Sequence, residues 1–301
     1  MSVPRITSSM ITRGIVADLN DIATRVSHTQ QKLASGKELT RPSDDPFATG
    51  RAIGLRAELA GLEQYQRNVD DAEAWTSVTE NKLSTMTDIV HSARELLVRG
   101  STGTTSVGDR KIIADEIDGL IAAAKDTANA TYAGRSLFAG TATATKPYSA
   151  GSDAYLGDAG DVVRSIGPGV SVIVNARGSD MLGNGADGKL LNTLRDISAH
   201  LRGGSAADIA ALGGSDLVGM DRSLDNVLNV RAQVGSTASR LEAANGRLAE
   251  IEEGVRGLLS KVEDADMAAT MIEYSMQQSV YQSALRAGAG IVQASLLDFL
   301  R

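Results

Sequence analysis

Apolar residues recur every seven positions over long stretches at both ends of this chain, and this pattern limits the possible folds more than any other feature. Near the C-terminus two such series run three residues apart, as the a and d positions of a coiled-coil heptad do. The first is Val227, Val234, Leu241, Leu248, Val255 and Val262, and the second is Val230, Thr237, Ala244, Ile251 and Leu258. The spacing predicts a long helix that buries a narrow stripe against other helices.

A shorter helix is predicted before Gly36, because a glycine readily adopts the left-handed backbone that ends a helix. After the loop Lys37–Asp44, the pair Asp45-Pro46 marks the next helix start. An aspartate accepts hydrogen bonds from the first free N–H groups, and a proline presets φ. The predicted helix-start signature is Pro42, Asp44, Asp45 and Pro46.

The segment after Pro46 predicts a much longer helix, since apolar residues again stand seven apart up to Leu97. Gly100–Gly108 is rich in Ser, Thr and Gly and predicts a reversal. A further helix should follow, with one face running from Ile113 to Thr131. Trp75 stands at neither stripe position, so it is expected to be partly exposed.

The middle of the chain has a different texture. Residues 140–188 are rich in glycine and contain two runs typical of strands, Val162–Ile166 and Val170–Val174, on either side of Gly167-Pro168-Gly169. Helical patterns return at Lys189–Leu201 and again from about Ser215. The sequence therefore predicts a small β-rich insert between helical segments.

The last segment, after Asp264 and Asp266, is predicted to be helical, although Gly288 and Gly290 weaken the pattern. We call the apolar positions of the two terminal helices the assembly stripe. It consists of Ile15, Leu19, Ile22, Val26, Leu33, Met267, Met271, Tyr274, Tyr281, Leu285, Val292 and Phe299.

The predicted fold class is mainly α: an elongated antiparallel helical bundle or coiled coil, built from both chain ends, with a small β-rich middle domain inserted. The expected division is 1–44 (terminal helix and loop), 45–139 (long helices), 140–188 (β insert), 189–262 (return helices) and 263–301 (last helix). Short helices with one partner are marginal in water. The terminal stripes therefore either order against other copies or close into a bundle within one copy, and periodicity alone leaves both readings open.

Composition excludes several classes of function. Only 3% of the residues are aromatic, which suits narrow helix contacts built from small aliphatic side chains. The net charge of −7 argues against a nucleic-acid partner, and the absence of cysteine excludes disulfides, thiolate metal sites and a cysteine nucleophile. No apolar run reaches the roughly eighteen residues of a membrane span, and the first residues lack the continuous apolar segment and small-residue cleavage site of a signal peptide. No membrane insertion or cleaved signal peptide is therefore expected.

Two motifs could suggest chemistry. Gly183–Lys189 has the glycine spacing of a phosphate-binding loop, but Leu190 stands where such a loop needs a Ser or Thr for Mg²⁺. A nucleotide-binding protein using Gly183–Lys189 is thus a distant alternative. The carboxylate pairs Asp44/Asp45 and Asp264/Asp266 are interpreted as helix caps. We expect no catalytic, cofactor or metal site.

Two segments carry a family resemblance. Gln30–Leu59 resembles the N-terminal signature of the flagellin superfamily, and Val262–Leu300 resembles its C-terminal signature. With the flanking heptads, the likeness covers roughly residues 3–140 and 220–301. Pro42–Pro46 and the ending Ser295–Leu300 are closer to the hook-associated junction members than to filament flagellins, which remain the alternative.

The resemblance implies a non-enzymatic structural subunit of the bacterial flagellum. It would leave the cell unfolded by the flagellar type III route, without a cleaved signal peptide. The implied partners are copies of itself in a ring, a neighbouring hook-associated protein on the hook side, filament flagellin on the other side, and an export chaperone. The terminal helices of this superfamily order on assembly, so the assembly stripe is where contacts between subunits are expected.

Overall fold

The computed structural model describes residues 8–299, and for residues 8, 9, 11, 12 and 290–299 it describes the backbone alone. The chain is mainly helical, as predicted. The helices are α1 (Ser8–Ser35), α2 (Pro46–Ser101), α3 (Val107–Ala128), α4 (Gly178–Met181), α5 (Leu190–Gly203), α6 (Ala206–Gly213), α7 (Ser215–Glu263) and α8 (Met267–Phe299).

Two compact units share these elements. Of the described residues, the first takes those up to 61 and those from 251 onward, and therefore holds α1, the start of α2, the end of α7 and α8. The second comprises residues 62–250. Its core is formed by the heptad positions of the long helices together with α3 and α5, which pack on each other. The side chains that are completely buried include Leu83, Val90, Leu97, Ile117, Leu194, Ile197, Val227 and Leu241.

The strands form two small antiparallel sheets. β1 (Thr131–Tyr132) pairs with β2 (Arg135–Ser136), and β3 (Val163–Gly167) pairs with β4 (Val170–Ile173). The second hairpin lies where the sequence predicts it, with an irregularity in register between Ser165 and Gly167. The first hairpin was missed, because the helical face was extended to Thr131. In the structure α3 ends at Ala128, and the Asn129 side chain bonds the backbone of Tyr148 instead.

Much of residues 140–188 has irregular backbone held by side-chain hydrogen bonds rather than by sheet pairing. Asp158 accepts from the Thr141 N–H at 2.6 Å and from the Gly160 N–H at 3.0 Å. Tyr155 donates its hydroxyl to the Phe138 carbonyl at 2.8 Å. These bonds satisfy backbone groups that the short strands leave without partners.

The prediction that Trp75 is partly exposed is wrong. Its side chain lies edge-on to Tyr132, with ring centroids 6.1 Å apart, and the residue is only 2% exposed. Heptad spacing marks the stripe that faces other helices. It contains no information about a hairpin that covers the flank of a helix, and β1 does so here.

Within the described residues, none of the helices combines the length and apolar character that a membrane crossing would need.

Two glycines with the same φ provide a matched test of the packing around Asp158. Gly140 and Gly169 both have φ of +70°, but a Cβ on Gly140 would lie 2.4 Å from the Asp158 carbonyl oxygen, whereas Gly169 has open space. Both alanine substitutions should incur the left-handed backbone cost of about 1–2 kcal/mol. Gly140→Ala should add a steric cost, so we expect its urea-unfolding free energy to fall below that of Gly169→Ala. Equal losses would contradict the close approach.

Candidate assembly surface

The two terminal helices lie antiparallel and pack on each other. Near one end of the pair, α8 approaches α1 closely at Gly288, where a Cβ would lie 3.2 Å from Ile15 Cγ2 and 3.7 Å from Leu19 Cδ1. Nearer the other end, Thr29 Oγ1 donates a hydrogen bond to Gln277 Oε1 at 2.9 Å. Gly288, expected to weaken the last helix, instead lies within a continuous α8 and permits this close contact.

Each helix contributes one stripe whose steps alternate between four and three residues. On α1 it is Ile15, Leu19, Ile22, Val26, Thr29 and Leu33, and on α8 it is Thr270, Tyr274, Gln277, Tyr281, Ala284 and Gly288. Thr29, Thr270 and Gly288 are buried, and the other members are half-buried. One helix can cover only part of its partner's stripe, so the pair shields these apolar side chains without removing them from water.

The structure divides the predicted assembly stripe. The five α1 residues, together with Tyr274 and Tyr281, lie in the contact between the two helices. Met267, Met271 and Leu285 lie beside that contact and are 48%, 61% and 44% exposed. The side chains of Val292 and Phe299 lie outside the described residues. Heptad counting followed a line along α8 that is rotated from the stripe α1 actually contacts.

A second apolar face of α8 was missed by that counting. Ile272, Met276 and Val280 are spaced four apart and are 70%, 61% and 50% exposed. Among the described residues, no helix covers them as α1 covers the other stripe of α8. A helix that is apolar on opposite faces is normally surrounded by others. The signal was present in the sequence as a four-residue apolar repeat out of phase with the heptads.

A buried carboxylate joins the loops at the other end of the helix pair. Glu263, the last residue of α7, has a side chain only 5% exposed and pairs with Lys37 Nζ at 2.7 Å and with the Arg56 guanidinium. Its carbonyl accepts from the Glu38 N–H at 2.7 Å, and the Gly36 carbonyl accepts from the Ala265 N–H at 3.0 Å. We call these side-chain and backbone contacts the Glu263 clamp.

Burial acts to raise the pKa of Glu263, but the hydrogen bonds and charges of Lys37 and Arg56 outweigh it and hold that pKa below its ordinary value. The carboxylate is thus ionised near neutral pH, and its charge is compensated on both oxygens. A buried charge with this pairing stabilises the clamp only while both partners stay in place.

The acidic pairs predicted as caps have distinct roles. Asp45 accepts from the Phe47 and Ala48 N–H groups, both at 2.9 Å, at the start of α2. Asp266 accepts from the Ala268 and Ala269 N–H groups at the start of α8. Asp44 instead accepts from Thr40, the Arg41 N–H and His28 within the preceding loop. Pro42 is exposed in that loop, and Pro46 is the first residue of α2. Across the described residues, no cluster of three His or acidic side chains could hold a metal.

The geometry of Gly183–Lys189 opposes the nucleotide-binding alternative. The Asp187 carboxylate accepts from the Asn184 N–H at 2.7 Å and from the Lys189 N–H at 3.2 Å, so it takes two of the donors that a phosphate would use. Lys189 Nζ donates to the Ser179 carbonyl at 2.7 Å. Burial raises the pKa of Tyr148, whose protonated hydroxyl donates to the Gly183 carbonyl. Three N–H groups of the loop, those of Asn184, Gly188 and Lys189, therefore already donate to side chains of the protein.

The depressed pKa of Glu263 makes the clamp sensitive to acid. Its stabilisation is present above the ordinary glutamate pKa and is lost as the pH falls through the lower folded-state pKa. We expect Glu263→Gln to reduce the free energy of unfolding by about 1–2 kcal/mol at neutral pH. That difference from wild type should shrink towards zero as the pH is lowered, in urea titrations followed by circular dichroism. Glu253→Gln, an exposed change on the same helix, is the control. A pH-independent difference would contradict the ionic clamp.

Comparisons with known families agree with the resemblance seen in the sequence. The model of the bacterial flagellin N-terminal helical region matches residues 6–143, and that of the bacterial flagellin C-terminal helical region matches residues 217–300. Together the two matches cover α1, α2, α3, α7 and α8, which are the helices that carry the heptads and the clamp.

Individual relatives extend over nearly the whole chain. The protein is 30% identical to flagellar hook-associated protein 3 of Escherichia coli (strain K12), covering 89% of this chain and 90% of that protein. It is also 30% identical to the flagellin of Bacillus subtilis (strain 168), covering 94% and 96%. The crystal structure of the flagellar junction protein FlgL from Legionella pneumophila shares the fold, with a TM-score of 0.56 at 16% identity, covering 70% of this chain and 100% of that chain. The chain therefore belongs to the flagellin superfamily, among its flagellar hook-associated members.

Proposed function

We propose that this protein is a structural subunit of the hook–filament junction in the bacterial flagellum, assembling with copies of itself through its terminal helices. The observation that carries this proposal is the incomplete burial of α1 and α8. Their shared stripe is mostly half-buried, and Ile272 and Met276 on α8 are more than half exposed. Burial of such side chains in an assembly is worth about 1.5–3 kcal/mol each, which favours association over a free monomer.

The proposed partners follow from the position implied by hook-associated relatives. One face of the assembled ring would contact a neighbouring hook-associated protein, and the other would contact filament flagellin. An export chaperone would cover the terminal helices before assembly, since exposed apolar helices invite aggregation. We infer that the protein leaves the cell through the flagellar export route and acts without enzymatic chemistry.

Mechanically, the two units suit an adaptor between a flexible and a stiffer structure. The unit of residues 62–250 has a core of completely buried side chains, so it depends little on neighbouring subunits. The unit with the chain ends offers apolar helices that gain most from neighbours. A subunit with one self-sufficient part and one assembly-dependent part can join a polymer while keeping the middle of the chain unchanged.

Filament flagellin is the second candidate, and the 30% identity to the Bacillus subtilis flagellin favours it. Both candidates use the same terminal helices, so the paired stripes do not separate them. The likeness of Pro42–Pro46 to junction members, together with the match to hook-associated protein 3, favours the junction role.

Deleting the gene distinguishes the two candidates, because a junction subunit is needed for filament attachment whereas a flagellin is the filament itself. For a junction subunit we expect hooks without filaments in electron micrographs, with flagellin shed into the culture medium. Reintroducing the wild-type gene is the control. Normal filaments, or the loss of filaments with no flagellin in the medium, would contradict the junction role.

Ile272, Met276 and Val280 form the exposed apolar face of α8, which we call its outer face. This face should be needed for assembly and not for the fold. We expect Ile272→Ser with Met276→Ser to abolish filament attachment in the complemented deletion strain, because both side chains would be buried by a neighbour. Val107→Ser with Ile112→Ser changes two similarly exposed residues on α3, 57% and 62% exposed, and should leave attachment intact. Motility, and circular dichroism of both purified variants, provide the readout. Full attachment by the α8 variant would contradict an assembly role for this face.

A further inference from the structure

The contact between α1 and α8 has a register that its own apolar side chains do not specify. Both stripes repeat every seven residues. If one helix slid along the other by a heptad, about 10.5 Å, the apolar stripe of α1 would therefore again face that of α8. The observed register places Thr29 beside Gln277 and Ile15 beside Gly288. A seven-residue slip in one direction would set the amide of Gln277 level with Ile22. The Thr29–Gln277 hydrogen bond favours the observed register, and a charged contact at the end of the pair would make that preference larger.

The Glu263 clamp lies at the end of the pair where α1 stops and α8 begins. Two backbone hydrogen bonds lie here, from the Glu38 N–H to the Glu263 carbonyl and from the Ala265 N–H to the Gly36 carbonyl. Because backbone hydrogen bonds do not depend on the side chains, they could form again between shifted residues. The Glu263 carboxylate differs because its two oxygens are held by Lys37 from the loop after α1 and by Arg56 from α2. A shifted loop would move Lys37 away and leave a charge uncompensated in a site only 5% exposed.

We propose that Glu263 is the positioning residue that sets the register of α1 on α8. The inference rests on the proposed function in one respect: register decides which α1 residues lie beside the outer face of α8, and hence the shape offered to the next subunit. Lys37 and Arg56 are 42% and 54% exposed, so they can reorganise when the carboxylate is absent, whereas the carboxylate cannot lose them without being buried unpaired.

The absence of cysteine in this chain allows the register to be read by disulfide formation between two introduced cysteines. Ala23 and Ala284 are both half-buried and lie less than one helical turn from the same level in the observed register, by interpolation between the Thr29–Gln277 and Ile15–Gly288 contacts. Ala23→Cys with Ala284→Cys therefore reports the native register. Gln30→Cys or Val16→Cys, each with Ala284→Cys, reports a slip of one heptad in either direction.

These three reporter pairs are combined with Glu263→Ala in the purified full-length chain under mild oxidation. Glu253→Ala on the same helix is the matched control. A second variant, Lys37→Ala with Arg56→Ala, removes the partners and keeps the carboxylate. Circular dichroism checks helix content in each, so that loss of fold is separated from loss of register.

In the wild-type and Glu253→Ala backgrounds we expect cross-linking from the Ala23/Ala284 pair alone. In both clamp variants the disulfide yield of the Ala23/Ala284 pair should fall at least about twofold. The disulfide yield of one of the two slip-reporting pairs should rise above background. A fall without any slipped product, or cross-linking confined to the native pair, would overturn the proposal, as would a wild-type chain that does not cross-link at Ala23/Ala284. The assay uses the free chain and no flagellum, so its result is independent of whether the junction role is correct.

Discussion

An apolar stripe on a helix is stabilised only to the extent that other elements surround it, and the two units of this protein differ in that respect. In residues 62–250 the stripes of the long helices are packed among α3, α5 and the hairpins, so Leu83, Val90 and Leu241 are fully buried. In the unit with the chain ends, α1 and α8 have each other as partner, and their stripe is mostly half-buried. The same sequence pattern therefore gives fully buried side chains in one unit and mostly half-buried side chains in the other.

That difference connects the structure to the proposed function. A chain end that could bury all its apolar surface alone would gain little from neighbours, and one with no internal partner would aggregate. The α1–α8 pair lies between these limits. Thr29, Gln277 and Gly288 give it a defined contact, whereas Ile272 and Met276 keep a face that an assembly can cover. The α1–α8 pair is already formed in the single chain, and neighbouring subunits would stabilise it further.

Hydrogen bonds and ion pairs fix the positions of the loops and the irregular backbone, which the apolar stripes do not determine. Glu263 links loops that are more than two hundred residues apart in the chain, and Asp158 and Tyr155 hold irregular backbone in the middle region. In the same way, the Asp187 carboxylate accepts from the N–H groups of Asn184 and Lys189, so a glycine spacing typical of phosphate loops is closed here on a side chain of the protein itself. These short-range bonds fix geometry at places where neither heptads nor long strands are available.

Local chemistry allowed much of this fold to be predicted from the sequence. The end of α1 at Gly36, the start of α2 after Asp45 and the β3–β4 hairpin all depend on backbone preferences of residues adjacent in the chain. Heptad spacing identified the helices that carry the core because periodicity is an intrinsic property of a single helix. What the sequence did not determine is which neighbour covers each face. Trp75 is buried by a hairpin, α1 contacts a line on α8 rotated from the predicted one, and Glu263 finds Lys37 and Arg56 only when distant loops meet. Those outcomes belong to the tertiary structure, since an apolar or charged side chain specifies that it needs a partner, whereas only the packed chain decides which one it gets.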